Sequence, residues 1–243
     1  MPARRAQPEV RESLVATPHG AALLRAHPAS GPPRASVLLL HGAGSGSDAP
    51  ILVALATRLA AGGLLALRLD QPYRVAGRRA PAPAPQLDAV VHAIAASVEP
   101  PVTLLVGRSS GARVACRVAA GPPQTVLGVV ALGFPLVPPP RRPATQGPSS
   151  QRPASQRPAS QRPGATRGAE LAGAGVDVLV VQGERDAFGA PAAVAALRLD
   201  GVRVHAVAGA DHAFASRSRD GRPAGAAVAE AVDVSARWLL ARA

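Results

Sequence analysis

Residues Val102–Gly111 read VTLLVGRSSG, a short apolar run that stops at a glycine, an arginine, two serines and a second glycine. A buried strand over Val102–Val106 followed directly by a helix would hold Ser109 on the sharp turn between them. Side chains two residues to either side of such a serine would collide with the backbone, which explains Gly107 and Gly111. The pattern predicts a nucleophilic Ser109. A glycine–serine turn without chemistry is the alternative.

Short apolar runs alternate with segments of helical spacing along most of the chain. Strands alternating with helices indicate a parallel sheet covered on both faces. We therefore predict an α/β protein, a three-layer αβα sandwich with a mostly parallel sheet and no separate cap domain. An antiparallel hairpin at Val10–Thr17 and Ala21–His27 would precede it. The other predicted strands are Val37–Leu40, Leu64–Leu69, Val102–Val106, Val126–Leu132, Val176–Val181 and Val202–Val207, and the helices are Ile51–Ala61, Gln86–Val98, Ser110–Ala120, Pro191–Leu199 and Ala224–Ala241.

Two loops at the ends of later strands carry the groups that a serine nucleophile needs. Asp186 follows one strand in the segment GERDAFG, and His212 follows the next in GADH. A serine hydroxyl becomes a good nucleophile when a histidine takes its proton and a carboxylate orients that histidine. In parallel sheets chemistry gathers at the carboxyl ends of the strands. The order Ser109, Asp186, His212 therefore predicts a catalytic triad.

Other titratable residues compete for these roles. Glu184 lies very close to its strand end, and Asp211 adjoins His212, so we interpret Asp211 as a loop or capping residue. His205 falls inside a strand pattern and is predicted to be a packed core residue. Cys116, on the helix after the serine, is predicted to be a buried, inert thiol. The remaining histidines, predicted to be surface or ordinary core residues, are His19, His27 and His92.

A glycine-rich loop, HGAGSGSD, follows the predicted strand Val37–Leu40. Gly42 and Gly44 would let the backbone turn its N–H groups inward, so we predict that the N–H groups of Ala43 and Ser110 form an oxyanion hole. Phosphate binding is the alternative, but the loop lacks the Gly-Lys-Ser/Thr of a nucleotide-binding loop. We expect His41 to hold this loop by hydrogen bonds rather than to act directly in catalysis.

The composition sets broader limits. The chain has 243 residues, enough for one sizeable core, and its 47% apolar content excludes a wholly disordered chain. The single cysteine excludes an intramolecular disulfide and a cysteine-clustered metal site. All 27 basic residues are arginine, and the formal net charge is +12. We attribute this charge to a GC-rich codon bias, because arginine has GC-rich codons and lysine does not, together with a basic insertion. Aromatic stacking positions for nucleic acid are scarce.

One segment differs from everything around it. Ser150–Gly164 repeats a five-residue unit three times, SQRPASQRPASQRPG, within a Pro/Arg/Ser/Gln tract at about 138–168. This tract has too few apolar residues to form a buried face, so we predict a solvated insertion. The insertion interrupts a single domain at 10–243, which follows a flexible N-terminus at 1–9. The tract would either attract anionic substrates or be a tolerated repeat expansion. We favour the repeat expansion. No signal or bilayer-spanning segment is apparent, so we expect a cytoplasmic protein without a membrane partner.

Six stretches together carry a family resemblance. They are LLLHGAGSGSD (Leu38–Asp48), LRLDQPYRVAGRRAP (Leu67–Pro81), GRSSGARVA (Gly107–Ala115), GFPLVPPP (Gly133–Pro140), VQGERDAFG (Val181–Gly189) and GADHAF (Gly209–Phe214). The chain resembles α/β-hydrolases of the small, cap-poor, dienelactone-hydrolase-like kind. More narrowly, it is similar to the hydrolase-like family shared with a testis-expressed protein and a chromatin NSL-complex subunit. Ala112 and Val137 stand where that family usually has a glycine and a histidine.

The resemblance implies an α/β-hydrolase fold with its triad on Ser109, Asp186 and His212. Together with the motifs, it predicts a serine hydrolase that acts through an acyl-enzyme, an esterase or thioesterase on small to medium acyl substrates. We expect no metal or organic cofactor. A non-catalytic binding or scaffold protein with the same fold is the second hypothesis, and an arginine-mediated binder of nucleic acid or acidic partners is the third.

Overall fold

The computed structural model describes residues 9–122, 125–138, 167–217 and 221–243. Within these ranges eight strands form one sheet: β1 (Arg11–Thr17), β2 (Gly20–His27), β3 (Ser36–Leu40), β4 (Leu65–Asp70), β5 (Val102–Arg108), β6 (Gly128–Leu132), β7 (Asp177–Gly183) and β8 (Val202–Val207). The order across the sheet is β1-β2-β4-β3-β5-β6-β7-β8. The pairs β1–β2 and β2–β4 are antiparallel and the others are parallel. The mostly parallel sheet and the entry hairpin predicted from the sequence are confirmed.

Helices cover both faces of this sheet. Those in the described ranges are α1 (Pro50–Ala61), α2 (Pro72–Val75), α3 (Ala84–Ala96), α4 (Ser110–Ala119), α5 (Gly168–Ala172), α6 (Pro191–Ala195) and α7 (Ala226–Leu240). Apolar side chains of α1 and α7 form one core cluster with one face of the sheet, and those of α3 to α6 form a second with the opposite face. The result is the predicted three-layer αβα sandwich.

The central strands are buried on both faces. Every residue of β3 and β6 is buried, as a parallel sheet between two helical layers requires. At the two margins of the sheet, β1 is mostly exposed and β8 is half-exposed. The side chains of β8 still contact the core on both faces, Val202 and Val204 on one and Val207 on the other.

Three local differences from the sequence predictions have physical reasons. Helix α6 ends at Ala195 rather than at Leu199, because the chain closes with short i→i+3 hydrogen bonds and then takes a left-handed conformation at Arg198, with φ at 48°. The short α2 and α5 have too few residues to show a helical period. Gly168, placed in the insertion, is the first residue of α5, and the SQRPA repeats lie outside the described residues.

The parallel strands β3, β5, β7 and β8 all end at the same edge of the sheet. The loops after these four strands therefore meet there; they include Ala43, Ser109, Asp186 and His212, and Ser110 begins α4 directly after Ser109. None of the helices in the described ranges is long and apolar enough to cross a membrane.

Candidate active site

Ser109 lies on the turn between β5 and α4 in a strained backbone conformation. Its φ is 53° and its ψ is −118°, a combination that non-glycine residues rarely adopt. The backbone N–H of Ser109 donates a hydrogen bond of 2.9 Å to the Leu132 carbonyl on β6, which holds the turn against the neighbouring strand. The hydroxyl is thereby raised above the edge of the sheet.

The two glycines of the turn are required by close backbone contacts. A Cβ at Gly107 would lie 2.3 Å from the backbone nitrogen of Ala112. A Cβ at Gly111 would lie 2.6 Å from the carbonyl oxygens of Leu40 and His41, where β3 leads into the glycine-rich loop. The G-x-S-x-G spacing thus reflects the approach of α4 to β5 on one side and to β3 on the other.

The three predicted triad residues form one chain of hydrogen bonds. His212 Nε2 lies 2.9 Å from Ser109 Oγ, and His212 Nδ1 lies 2.8 Å from Asp186 Oδ2. The Asp186 side chain is fully buried, whereas that of His212 is 21% exposed. The geometry fits a neutral imidazole that donates from Nδ1 to the carboxylate and accepts from the serine hydroxyl at Nε2.

Gln182, the penultimate residue of β7, holds the same oxygen of the Asp186 carboxylate that His212 contacts. Its Nε2 donates to Asp186 Oδ2 at 2.8 Å and to the Gly189 carbonyl at 2.7 Å, and its Oε1 accepts from the Phe134 N–H at 2.9 Å. The Phe188 N–H donates to the other carboxylate oxygen, Oδ1, at 2.8 Å. Gln182 was not predicted from the sequence. The signal was present, since a glutamine in an otherwise apolar buried strand must find polar partners.

Gly183 lets the acid loop and the histidine loop touch. A Cβ there would lie 2.4 Å from the Asp211 carbonyl oxygen and 2.6 Å from that of Ala210. The ring of His212 also packs against Phe188, with 4.4 Å between ring centroids. These contacts fix the distance between the carboxylate and the imidazole.

The competing titratable residues have other partners. Glu184 Oε2 accepts from the Gly209 N–H, and Asp211 Oδ1 accepts from the N–H groups of Ala213 and Ala215, so Asp211 caps its own loop as predicted. The prediction for His205 was wrong. Its side chain is 35% exposed and bonds Glu230 of α7, because β8 is a margin strand whose side chains are only partly covered.

Most of the other predictions for single residues are confirmed. Cys116 is fully buried, and burial raises the pKa of its thiol to about 12. His19 is exposed, His92 is half-buried, and His27 is buried.

In the described ranges no group of three His, Cys, Asp or Glu side chains could hold a metal ion.

The glycine-rich loop packs against the serine turn through Gly42. A Cβ at Gly42 would lie 3.3 Å from both Ser109 Cβ and Arg108 Nη1. The N–H groups of Ala43 and Ser110 donate no hydrogen bond to any described residue, and their assignment as oxyanion donors stays a prediction. Gly44 differs from expectation, since a Cβ there would meet nothing within 4 Å and its φ is not left-handed.

A buried polar network fixes the far end of this loop. The Asp70 carboxylate accepts from the Ser47 N–H at 2.7 Å and from Arg25 at 2.5 Å, while Arg68 donates to the Ser47 carbonyl at 2.6 Å and to His27 Nε2 at 2.8 Å. Burial alone would raise the pKa of Asp70, but the hydrogen bonds from Ser47 and Arg25 outweigh it and lower the pKa.

His41 holds the start of the loop, as predicted. Its Nδ1 lies 2.8 Å from the Gly42 carbonyl oxygen, and its Nε2 accepts from the Gln71 N–H at 3.3 Å. Burial lowers the pKa of this imidazole, which favours the neutral form that these two bonds require.

A family model described as an alpha/beta hydrolase domain matches residues 33–152 and 157–240. Among solved structures, the dienelactone hydrolase of Anabaena variabilis is 19% identical over 98% of this chain and 99% of that one, with a TM-score of 0.63. An α/β serine hydrolase without a lid from Xanthomonas campestris is 20% identical over 95% of each chain, with a TM-score of 0.61. The esterase domain of a Rhodothermus marinus protein is 18% identical over 96% of this chain and 98% of that one, with a TM-score of 0.66. No curated protein sequence matches. At these identities the structural likeness concerns the fold.

Proposed function

The chain belongs to the alpha/beta hydrolase family and has a dienelactone-hydrolase-like fold, and from this premise we propose that it is a serine hydrolase acting on esters or thioesters of small to medium acyl groups. The observation that carries the proposal is the unbroken chain of hydrogen bonds from Ser109 through His212 to the buried Asp186. A strained serine with this relay is the arrangement that nucleophilic acyl transfer needs.

The first half of the reaction forms an acyl-enzyme. Ser109 Oγ attacks the acyl carbon while His212 Nε2 takes the hydroxyl proton, and Asp186 stabilises the imidazolium. The N–H groups of Ala43 and Ser110 donate to the oxyanion of the tetrahedral intermediate. The bond to the leaving oxygen or sulfur then breaks, and His212 gives its proton to the leaving group.

The second half returns the enzyme to its starting state. Water attacks the acyl carbon, and His212 accepts one of its protons. The second tetrahedral intermediate collapses by breaking the bond to Ser109 Oγ, which regains a proton from His212, and the carboxylic acid departs. The buried carboxylate of Asp186, held by Gln182 and the Phe188 N–H, keeps the imidazole in one orientation through both halves.

Fluorophosphonate labelling tests the proposal directly. We expect the wild-type protein and Ser110→Ala to be labelled and Ser109→Ala to remain unlabelled, since replacing the Ser110 side chain keeps its backbone N–H. On any 4-nitrophenyl ester that the wild type hydrolyses, Ser109→Ala should lower kcat by about 10⁶-fold, the loss typical of a well-tuned triad. A wild-type protein that is neither labelled nor active would instead favour the non-catalytic binding or scaffold protein.

Three finer expectations remain part of this proposal. The narrower resemblance to the family shared with a testis-expressed protein and an NSL-complex subunit rests on the six sequence stretches given above. The partner is proposed to be a small-molecule acyl substrate rather than nucleic acid or a membrane. The location is proposed to be cytoplasmic.

A further inference from the structure

Arg108, the last residue of β5 and the neighbour of Ser109, places its guanidinium beside the candidate nucleophile. Arg108 Nη1 and Ser109 Cβ both lie 3.3 Å from the point where a Cβ on Gly42 would sit. The charged group therefore lies where the serine turn meets the glycine-rich loop. Its side chain is half-buried, so a ligand can still reach it.

The guanidinium of Arg108 forms no hydrogen bond or ion pair with any described residue. Other half-buried arginines differ: Arg113 bonds Glu170 at 2.6 Å and 2.7 Å, and Arg117 bonds Asp88 at 2.7 Å and 2.8 Å. A half-buried charge without a counterion is costly, because burial weakens its hydration. Burial accordingly lowers the pKa of Arg108.

Two carboxylates lie close enough to act on Arg108 electrostatically, but neither pairs with it. The charges of Asp186 and Asp211 oppose the effect of burial. Both oxygens of Asp186 already accept hydrogen bonds, and Asp211 accepts two from its own loop. The guanidinium therefore lies at the contact between the serine turn and the glycine-rich loop, within electrostatic reach of Asp186 and Asp211 but bonded to neither.

We infer that Arg108 binds an anionic oxygen group, a carboxylate or a phosphate, carried by the substrate next to its scissile acyl group. The inference rests on the proposed function and names its substrate class. A guanidinium presents parallel N–H donors that match two oxygens of such a group, and charge-assisted bonds of this kind are about twice as strong as neutral ones. Arg108 is thus a specificity residue that favours anionic esters over neutral ones.

Matched pairs of esters test the inference by kinetics. The first pair is 4-nitrophenyl hydrogen glutarate and its methyl ester, and the second is 4-nitrophenyl 3-phosphonopropanoate and its dimethyl phosphonate. We compare the ratio of kcat/KM for the anionic member to that for the neutral member, because any effect on the chemical step that both members share cancels in this ratio. We expect the wild type to prefer the anionic member of at least one pair, and that pair identifies the group bound.

Substitutions assign this preference to one side chain. Arg108→Met, which keeps an apolar stem, should lower the ratio for the preferred pair by about ten- to a hundredfold, the value of a charge-assisted hydrogen bond. Arg108→Lys should retain part of the preference, because lysine keeps the charge but lacks the parallel N–H donors of the guanidinium. Arg203→Met removes an equal charge from the exposed face of β8 and should leave the ratio unchanged. An Arg108→Met protein that loses activity equally on both members of a pair would overturn the inference.

A binding measurement separates this inference from the proposed function. Titration calorimetry of Ser109→Ala with monomethyl glutarate and with methyl phosphonate needs no turnover. We expect one of them to bind, and binding to weaken at least tenfold when Arg108→Met is added. If neither anion binds, or if the added substitution changes nothing, the inference fails even for an active esterase. If an anion binds through Arg108 while fluorophosphonate leaves the wild type unlabelled, the proposed function alone fails.

Discussion

Gly183 lies where the loop of Asp186 contacts the loop of His212, two residues that are 26 positions apart in the sequence. Its missing side chain lets the carbonyls of Ala210 and Asp211 approach the end of β7, which sets the 2.8 Å contact between Asp186 and His212. The close approach of the two backbones thus brings Asp186 and His212 within hydrogen-bonding distance.

The substitution Gly183→Ala should separate these loops. Its Cβ would lie 2.4 Å from a backbone oxygen that no side-chain rotation can move, so the histidine loop must shift. Since a displacement of about 1 Å in such a site costs about 10²-fold, we expect kcat on the best 4-nitrophenyl ester to fall by at least that factor. Gly31→Ala is the matched control, because a Cβ there meets nothing within 4 Å. Equal kcat values for the two variants would contradict this role.

The residues that sequence reasoning found and missed differ in a physical way. Ser109, Asp186 and His212 follow strand ends, and the order of parallel strands fixes which loops meet, so their proximity could be inferred from the pattern alone. Gln182 and Gly183 act through contacts with Phe134, Gly189 and the 210–211 carbonyls. Such contacts depend on how side chains and loops turn in three dimensions, which a one-dimensional pattern does not record.

At the scale of elements, β2 and β4 form an antiparallel platform beneath the glycine-rich loop. Arg25 and His27 on β2 and Arg68 and Asp70 on β4 reach Ser47, directly or through one another. These two strands thus do more than extend the sheet, because they supply the polar groups that hold the loop of Ala43. Alternation of strands and helices predicted these strands, but could not show that their charged residues point to a common loop.

Protonation of His27 should couple this platform to pH. Burial, followed by the charge of Arg68, lowers the pKa of His27 to about 4, against a usual value near 6.5. Below about pH 6.5, His27 binds a proton in the unfolded chain but not in the folded chain. Its contribution to the free energy of unfolding should therefore be full above about pH 6.5 and decrease as the pH drops towards about 4. His41, whose pKa is also lowered, contributes in the same direction.

Urea unfolding at pH 7.5, 6.5, 5.5 and 4.5 measures this effect. The variant His27→Gln keeps an acceptor for Arg68 and removes the titration, so the decrease in its free energy of unfolding should be smaller than that of the wild type. His19→Gln alters an exposed histidine and should keep the full decrease. Parallel curves for the wild type and His27→Gln would refute the coupling.

At the scale of the whole molecule, the two described ends of the low-complexity insertion meet. The Arg167 N–H donates to the Leu136 carbonyl at 2.7 Å, and the Val137 N–H donates to the Phe188 carbonyl at 2.9 Å. The chain therefore leaves and rejoins the fold at nearly one point, near the loop that carries Asp186. A segment attached in this way can change in length without pulling the sheet apart.

Deletion of Ser150–Gly164 should leave the fold and its activity on neutral esters unchanged. The deletion roughly halves the segment between residues 137 and 167, and a twofold change in loop length alters the closure free energy by only about 0.6 kcal/mol. We expect the same Tm within a few degrees and the same salt dependence of kcat/KM on anionic esters. A weaker salt dependence after deletion would show instead that the tract steers anions to the site.

The relay from Ser109 to His212 spans 103 residues of sequence, and it closes only through the last strand of the sheet. During synthesis Ser109 leaves the ribosome long before its histidine exists, so a nascent chain holds an unactivated serine until β8 and the loop after it have folded. If the proposed triad is the source of activity, chains that terminate before His212 should be inert whatever else in them folds. Because fluorophosphonate reacts with Ser109 only once His212 is in place, the time of labelling reports when the final third of the chain has been synthesised and folded.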